Sequence, residues 1–172
     1  MAVVTIKGHV SRAMDFYNKE DIHFCIGKST PWDNENSPPV PKNTDEIQDA
    51  LGYKLIESKF LVIPVENENA AYELMYRQTK WKIVPYEEAL EKGARWVYIM
   101  SFIAYDEFPV DIVYRQIGVY TRLVRKSGVP DNQAALTPDE VEDPGILEFL
   151  DNRRPIYREL DQREKIAVVI EF

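Results

Sequence analysis

Apolar and polar residues alternate along much of the chain, with the period of a β-strand that packs one face on a core. Ile22, Phe24 and Ile26 share one face of the stretch DIHFCIGK, and His23 and Cys25 share the other. This pattern predicts a strand with one face committed to the core. Runs rich in β-branched and aromatic residues predict further strands over residues 53–65, 71–85, 94–108, 110–124 and 163–172.

Helical patterns are confined to short segments. They fall at residues 8–20, 45–51 and 86–93. Val10, Met14 and Tyr17 recur at helical spacing in the first segment, which follows a short predicted strand at residues 2–6. Thr44 can cap the second helix, and a glycine follows the second helix and ends the third segment. We therefore expect helices too short to serve as crossovers between parallel strands.

A long irregular loop interrupts this pattern at residues 29–43. Its prolines, asparagines and aspartate make it stiff and unsuited to a sheet interior, and loops of this length usually carry function. The sequence predicts a mainly β fold of the α+β class. We expect an antiparallel β-sandwich with a few short helices and this proline-rich loop, in a single domain over residues 1–172.

Composition narrows the function classes. The chain has 172 residues and a formal net charge of −8, which opposes general binding to nucleic acid phosphates. No apolar run is long enough to cross a membrane, and the N-terminus lacks the layout of a signal peptide, so a cytoplasmic protein is expected. A local basic cluster is interpreted as a solvated face or a docking site for an acidic partner; it comprises Arg115, Arg122, Arg125 and Lys126.

Candidate chemistry is sparse. The stretch GKST at residues 27–30 suggests a phosphate-binding loop, but Ile22 stands where the motif needs its first glycine. His9 and His23 are too few for a metal site, and Cys25 has no second cysteine as partner. Runs of acidic residues are more typical of solvated surface than of a paired-carboxylate hydrolase. We expect no catalytic, cofactor or metal residue, no nucleotide and no small-molecule substrate.

Three segments carry residue types suited to protein contacts. They are STPWDNENSPPVP (residues 29–41), YRQIGVYT (114–121) and NRRPIYRELDQREKIAVVIEF (152–172). Trp32 stands on a rigid proline scaffold, where it can either dock on a partner or fold back as a core plug. The last segment suggests a closing hairpin, with its final strand inside the sheet. The residues expected at interfaces are Pro31, Trp32, Pro38, Pro39, Arg115, Tyr120, Arg153 and Arg154.

In this order, the three segments resemble the baseplate wedge subunits of contractile-tailed phages, typified by gene product 8 of the T-even phages. The family pattern of Gly, a basic residue, a small hydroxyl residue and Pro-Trp matches residues 27–32. Its aromatic-Arg-Gln-Ile strand matches residues 114–117, and its Asn-Arg-x-Pro step matches residues 152–155. An Asp-Gln-x-Glu step matches residues 161–164, whereas residues 45–109 show no visible match.

The resemblance implies a structural, non-enzymatic subunit of the virion tail baseplate that is assembled in the host cytoplasm. It implies a homodimer that contacts other baseplate wedge proteins and helps to trigger sheath contraction. Two alternatives remain open at this stage. One is another virion adaptor, in the neck or at a fibre attachment, and the other is a small hydrolase that uses acidic loop residues.

Overall fold

The computed structural model describes residues 1–67, 69–109, 111–159 and 161–172. Residue 68 of an acidic run, residue 110 at the start of a predicted strand, and residue 160 of the C-terminal segment lie outside the described residues. The strands are β1 (Ile22–Gly27), β2 (Ala50–Leu55), β3 (Ser58–Pro64), β4 (Leu74–Tyr76), β5 (Thr79–Ile83), β6 (Trp96–Ile103), β7 (Val113–Thr121), β8 (Val124–Arg125), β9 (Ala135–Leu136), β10 (Val141–Asp143), β11 (Ile146–Tyr157) and β12 (Glu164–Glu171). The helices are α1 (Ile6–Tyr17) and α2 (Ala89–Lys92), with short 3₁₀ helices at Tyr86–Glu88 and Pro138–Glu140.

The chain divides into two compact units. The first unit comprises residues 1–20, 57–100 and 167–172, and the second comprises residues 21–56 and 101–166. The strands form two five-stranded sheets, in the orders β12-β6-β3-β5-β4 and β11-β7-β1-β2-β9, and a two-stranded sheet of β10 and β8. The strand pairs with a resolved register are antiparallel. A mainly β, antiparallel fold with short helices is therefore confirmed, whereas the sandwich and the single domain stay predictions.

In the first unit, α1 begins where Thr5 caps it, because the Thr5 hydroxyl accepts a hydrogen bond from Gly8 N at 3.1 Å. The helix buries Val10 and Phe16. The predicted strand at residues 2–6 is wrong: this segment leads into the helix cap and has no strand partner among the described residues. The glycine exit of the third predicted helix is confirmed, since Gly93 ends α2 with φ +69°.

In the second unit, β1 is the central strand, flanked by β2 and β7. All six of its residues are buried. The prediction of one committed face was therefore too narrow, because both faces of β1 are covered. One cluster of this core brings Cys25 together with Tyr53, Tyr120 and Leu136.

Two further expectations are wrong. Residues 45–51 form no helix, and Ala50 and Leu51 belong instead to β2, because strand pairing with β1 overrides the local helical pattern. The C-terminal segment is not a closing hairpin, because β11 pairs with β7 while β12 lies beside β6 in the other sheet. The expectation that the C-terminal segment is a strand of the sheet is confirmed, since β12 is the edge strand of its sheet and buries Ile166, Val168 and Ile170.

Candidate interaction surface

At the start of the loop at residues 29–43, the backbone lies close to residues 48–49. Lys28 and Asp49 both have left-handed backbone, with φ +64° and +50°. Lys28 N donates to Asp49 O at 3.2 Å, and Ser29 N donates to the Asp49 carboxylate at 3.2 Å. A Cβ on Gly27 would lie 2.7 Å from Gln48 O, so glycine is required for this close approach. Residues 27–30 (GKST) therefore form the start of a loop. No helix follows Lys28 before β2 among the described residues, whereas a phosphate-binding loop leads into a helix.

Arg115 of β7 holds the loop through its guanidinium group. It is buried in β7, and its Nε lies 2.9 Å from both carboxylate oxygens of Glu35, while Nη2 lies 2.6 Å from Oε1. Nη1 donates to the carbonyl oxygen of Ser29. Hydrogen bonding to Arg115 lowers the pKa of Glu35, and the same bond raises the pKa of Arg115. The fork of one guanidinium therefore holds two points of the loop.

A chain of amide side chains forms a second anchor. Gln116 Oε1 accepts from Gln48 N at 2.9 Å, and Gln116 Nε2 donates to Asn152 Oδ1 at 2.9 Å. Asn152 Nδ2 then donates to Pro39 O at 2.9 Å. The two amides thereby connect β7 and β11 with the loop and with the segment that follows it.

Trp32 forms a third anchor. Its indole is half-buried and donates from Nε1 to Arg153 O on β11 at 2.8 Å. The Lys28 ammonium lies 4.9 Å from the centre of the indole ring, which is within cation–π range. Arg154 adds a bond from its Nε to Asn36 O at 3.1 Å. Trp32 is therefore neither a free docking side chain nor a core plug, because it ties the loop to β11.

The three anchors bring together the three segments singled out in the sequence. We call the outer face of residues 29–43, with residues 150–154 of β11, the loop platform. A cavity of about 670 Å³ opens between the loop and the two strands. Its lining includes Lys28, Trp32, Val40, Lys42, Gln116 and Leu150.

The predicted interface residues occupy different depths in this arrangement. Pro31, Pro39 and Arg154 are exposed, whereas Trp32, Pro38 and Arg153 are half-buried. Arg115 and Tyr120 are buried. Arg115 supports the platform through Glu35, whereas the Tyr120 hydroxyl accepts from Ile47 N at 3.2 Å, in the segment that follows the loop.

Sequence reasoning missed Glu35, Gln116 and Asn152 as anchors. Gln116 follows Arg115 and Asn152 precedes Arg153, so both lie within the segments that the sequence marked as suited to protein contacts. Glu35 offered none, because its partner Arg115 lies 80 residues further along the chain.

The groups considered for chemistry are placed as follows. Cys25 is fully buried, and burial raises the pKa of its thiol, which disfavours the thiolate. The described residues contain no group of three or more side chains able to hold a metal ion together. No helix in the described part of the chain is long and apolar enough to cross a membrane. A loop held on a sheet is a common place for residues that bind other molecules.

Comparison with known proteins identifies the family. The model of the family described as "Baseplate wedge 3 tail fiber network component" matches residues 1–172. "Virion protein 3" of Enterococcus phage phiEF24C is 33% identical over 177 residues, which cover 99% of this chain and 96% of that protein. The chain belongs to the baseplate wedge 3 tail fiber network component family. It is a structural component of a phage tail baseplate and resides in the virion tail, as the resemblance implied.

Proposed function

We propose that this chain is a non-enzymatic wedge subunit that links neighbouring proteins of the baseplate through its loop platform. The observation that carries the proposal is the convergence of three distant segments on one anchored loop. Anchoring removes conformational freedom before a partner binds, which lowers the entropic cost of association. The family description includes a tail fiber network, and we infer that the partners include wedge and fibre-network proteins.

We further propose that the subunit acts as a homodimer and belongs to a contractile tail, where it helps transmit the trigger for sheath contraction. The family resemblance supports this part. Platform contacts made by rigid loops are suited to transmitting a movement, because the loop moves together with the sheet that holds it.

The loop platform can be tested with matched valine variants. Val40 is 84% exposed and lies on the cavity rim, while Val124 is 46% exposed on β8 of the same unit. In phage complemented with the gene, Val40→Glu should reduce incorporation of the subunit into baseplates at least about tenfold, because a buried interface excludes an unpaired charge. Val124→Glu should assemble like the wild type.

Both purified variants should keep the melting temperature of the wild type, since both valines are exposed. Normal incorporation of Val40→Glu, quantified by mass spectrometry of purified particles, would contradict the platform as a contact surface. Lys42→Glu should reproduce the loss seen with Val40→Glu, because Lys42 is exposed and lines the same cavity.

A further inference from the structure

β12 is the outermost strand of its sheet. β6 lies on one side of it, and the described residues place no strand on the other. The strand begins with Glu164, which contacts Tyr114 and Arg158 within the chain, and continues with Lys165, the apolar run IAVVI and Glu171 at its end. An apolar strand at the edge of a sheet is a template for pairing with another chain.

The other sheet edges are less suited to pairing. β11 is long, but Pro155 has no backbone N–H to donate, and two register irregularities interrupt the strand. The carbonyl oxygen of Arg153 already accepts a hydrogen bond from Trp32. β4 spans only Leu74–Tyr76, and β9 spans only Ala135–Leu136. β12 therefore offers the longest edge without such protection among the described strands.

The sequence of β12 is complementary to itself in one antiparallel register. With Val168 opposite Val168 of a second copy, Ile166 faces Ile170 and Ala167 faces Val169. Lys165 then faces Glu171 at both ends of the pair. Ile166, Val168 and Ile170 are buried, whereas Lys165 and Glu171 are exposed, so residues with the same environment lie opposite each other.

Neighbouring registers lose this match. A shift by one residue would set inward-facing residues opposite outward-facing ones, because side chains alternate with a period of two. A shift by two residues would place Glu171 opposite Ala167 in one direction. In the other direction it would place Lys165 opposite Val169 and Glu171 opposite Arg163, which lies outside β12. Oppositely charged residues directly across an antiparallel pair stabilise it, and like charges destabilise it.

We propose that two copies of this chain pair through β12, antiparallel and in the register centred on Val168. The pairing extends each five-stranded sheet into its partner copy across a two-fold axis. It rests on the homodimer of the proposed function and names the surface that forms it. The partner is a second copy because a two-fold axis brings Lys165 of each copy opposite Glu171 of the other, which makes the strand complementary to itself in charge.

A charge reversal tests the register. Lys165→Glu should weaken dimerisation about tenfold or more, because it sets acidic residues opposite each other at both ends. The double variant Lys165→Glu with Glu171→Lys restores opposite charges and should return the dissociation constant to within about twofold of the wild type. Lys82→Glu, an exposed lysine on β5, is the matched control and should leave the dimer unchanged.

Light scattering over a dilution series measures the mass, which is 20.0 kDa for one copy. Glu171 also lies 2.9 Å from Arg95 within the chain, so melting temperatures of all variants show whether a loss of dimer reflects a loss of fold. If the double variant stayed as weak as the single variant while its fold was intact, the register would be wrong.

A cysteine cross-link locates the contact independently. Val168→Cys should form a disulfide dimer on mild oxidation, because the two cysteines face each other across the axis. Ala167→Cys should not, because it faces Val169. Native Cys25 is buried and gives no background. A wild-type dimer without a Val168→Cys cross-link would overturn this surface and keep the homodimer, whereas a wild-type monomer at tens of micromolar would overturn both.

Discussion

His23 is buried, although the sequence pattern placed it on the face of β1 that was not committed to the core. It is fully buried in β1, where it lies between Tyr120 of β7 and Leu55 of β2. Neither ring nitrogen has a hydrogen-bond partner among the described residues, although Asp21 Oδ1 lies 3.2 Å from Nδ1. Burial lowers the pKa of His23; Asp21 opposes this shift and Arg125 adds to it. The imidazole is therefore neutral in the folded protein at neutral pH.

This lowered pKa predicts a loss of stability in mild acid. Below the ordinary histidine pKa of 6.5, His23 binds a proton in the unfolded chain more readily than in the folded chain. The free energy of unfolding therefore falls as pH falls. One such group contributes at most about 1.4 kcal/mol per pH unit to this slope. We expect the free energy of unfolding from urea titrations to fall more steeply between pH 7 and pH 5 for the wild type than for His23→Leu. An equal slope in both proteins would refute the assignment.

At the scale of elements, the strands were predictable and their sheets were not. Alternation and β-branched residues identified β1, β6, β7 and β12, because both properties are local. The runs at residues 53–65 and 71–85 each contain two strands, and β9 and β10 were not predicted. The assignment of β11 and β12 to different sheets depends on contacts between distant segments, which a local pattern does not contain. Residues 45–51 have a capping threonine before them and a glycine after them, as a helix would, yet the end of this segment pairs with β1 as part of β2.

The loop at residues 29–43 was recognised from its prolines, but its anchoring was not. A pattern of prolines indicates stiffness, whereas the pairing of Arg115 with Glu35 joins two elements far apart in the chain. The sequence named Trp32 and Arg154 on this surface, and their place at an interface stays a prediction, but it did not name Glu35, Gln116 or Asn152, which anchor the loop. Arg115 and Tyr120 were expected at an interface, and both are buried; Arg115 holds the loop, and Tyr120 holds the segment after it through Ile47.

Removing this anchor should loosen the loop without unfolding its sheet. We expect Arg115→Met and Glu35→Gln to accelerate amide hydrogen exchange across residues 29–43 at least about tenfold, because the loop loses its bidentate contact. Exchange in β1 should stay slow in both variants. Arg122→Met, which removes an exposed arginine of the same unit, is the control and should change neither region.

The same anchor should respond to acid. Since Arg115 lowers the pKa of Glu35, the contact is fully present above the ordinary carboxyl value of 4.5 and is lost as pH falls below it. Wild-type exchange in the loop, corrected for intrinsic rates, should therefore approach that of Glu35→Gln only under these acidic conditions. Equal loop exchange in wild type and Glu35→Gln at pH 7 would contradict the anchor.

At the scale of the whole molecule, the path of the chain links the two units at four points. It passes between them after residues 20, 56, 100 and 166. The last two points fall within strands β6 and β12, so each of these strands contributes residues to both units. Neither unit is a continuous piece of the chain, and no single cut can release either one intact.

This path predicts that the chain unfolds as one cooperative body, in keeping with a single domain over residues 1–172. Because β6 and β12 each run through both units, melting of either unit removes part of both strands and is expected to weaken the other unit as well. The tryptophans allow a test, because Trp81 and Trp96 lie in the first unit and Trp32 lies in the second. Trp32→Phe leaves fluorescence from the first unit alone, and Trp81→Phe with Trp96→Phe leaves it from the second.

In each variant, the fluorescence midpoint on heating should coincide with the midpoint from far-ultraviolet circular dichroism, which reports on both sheets. Comparison within one variant removes the effect of the substitutions on stability. The two midpoints separate if the units melt independently, with fluorescence following one unit while circular dichroism follows both. Such separation would establish two domains in place of one, because cooperative unfolding requires every probe to report the same transition.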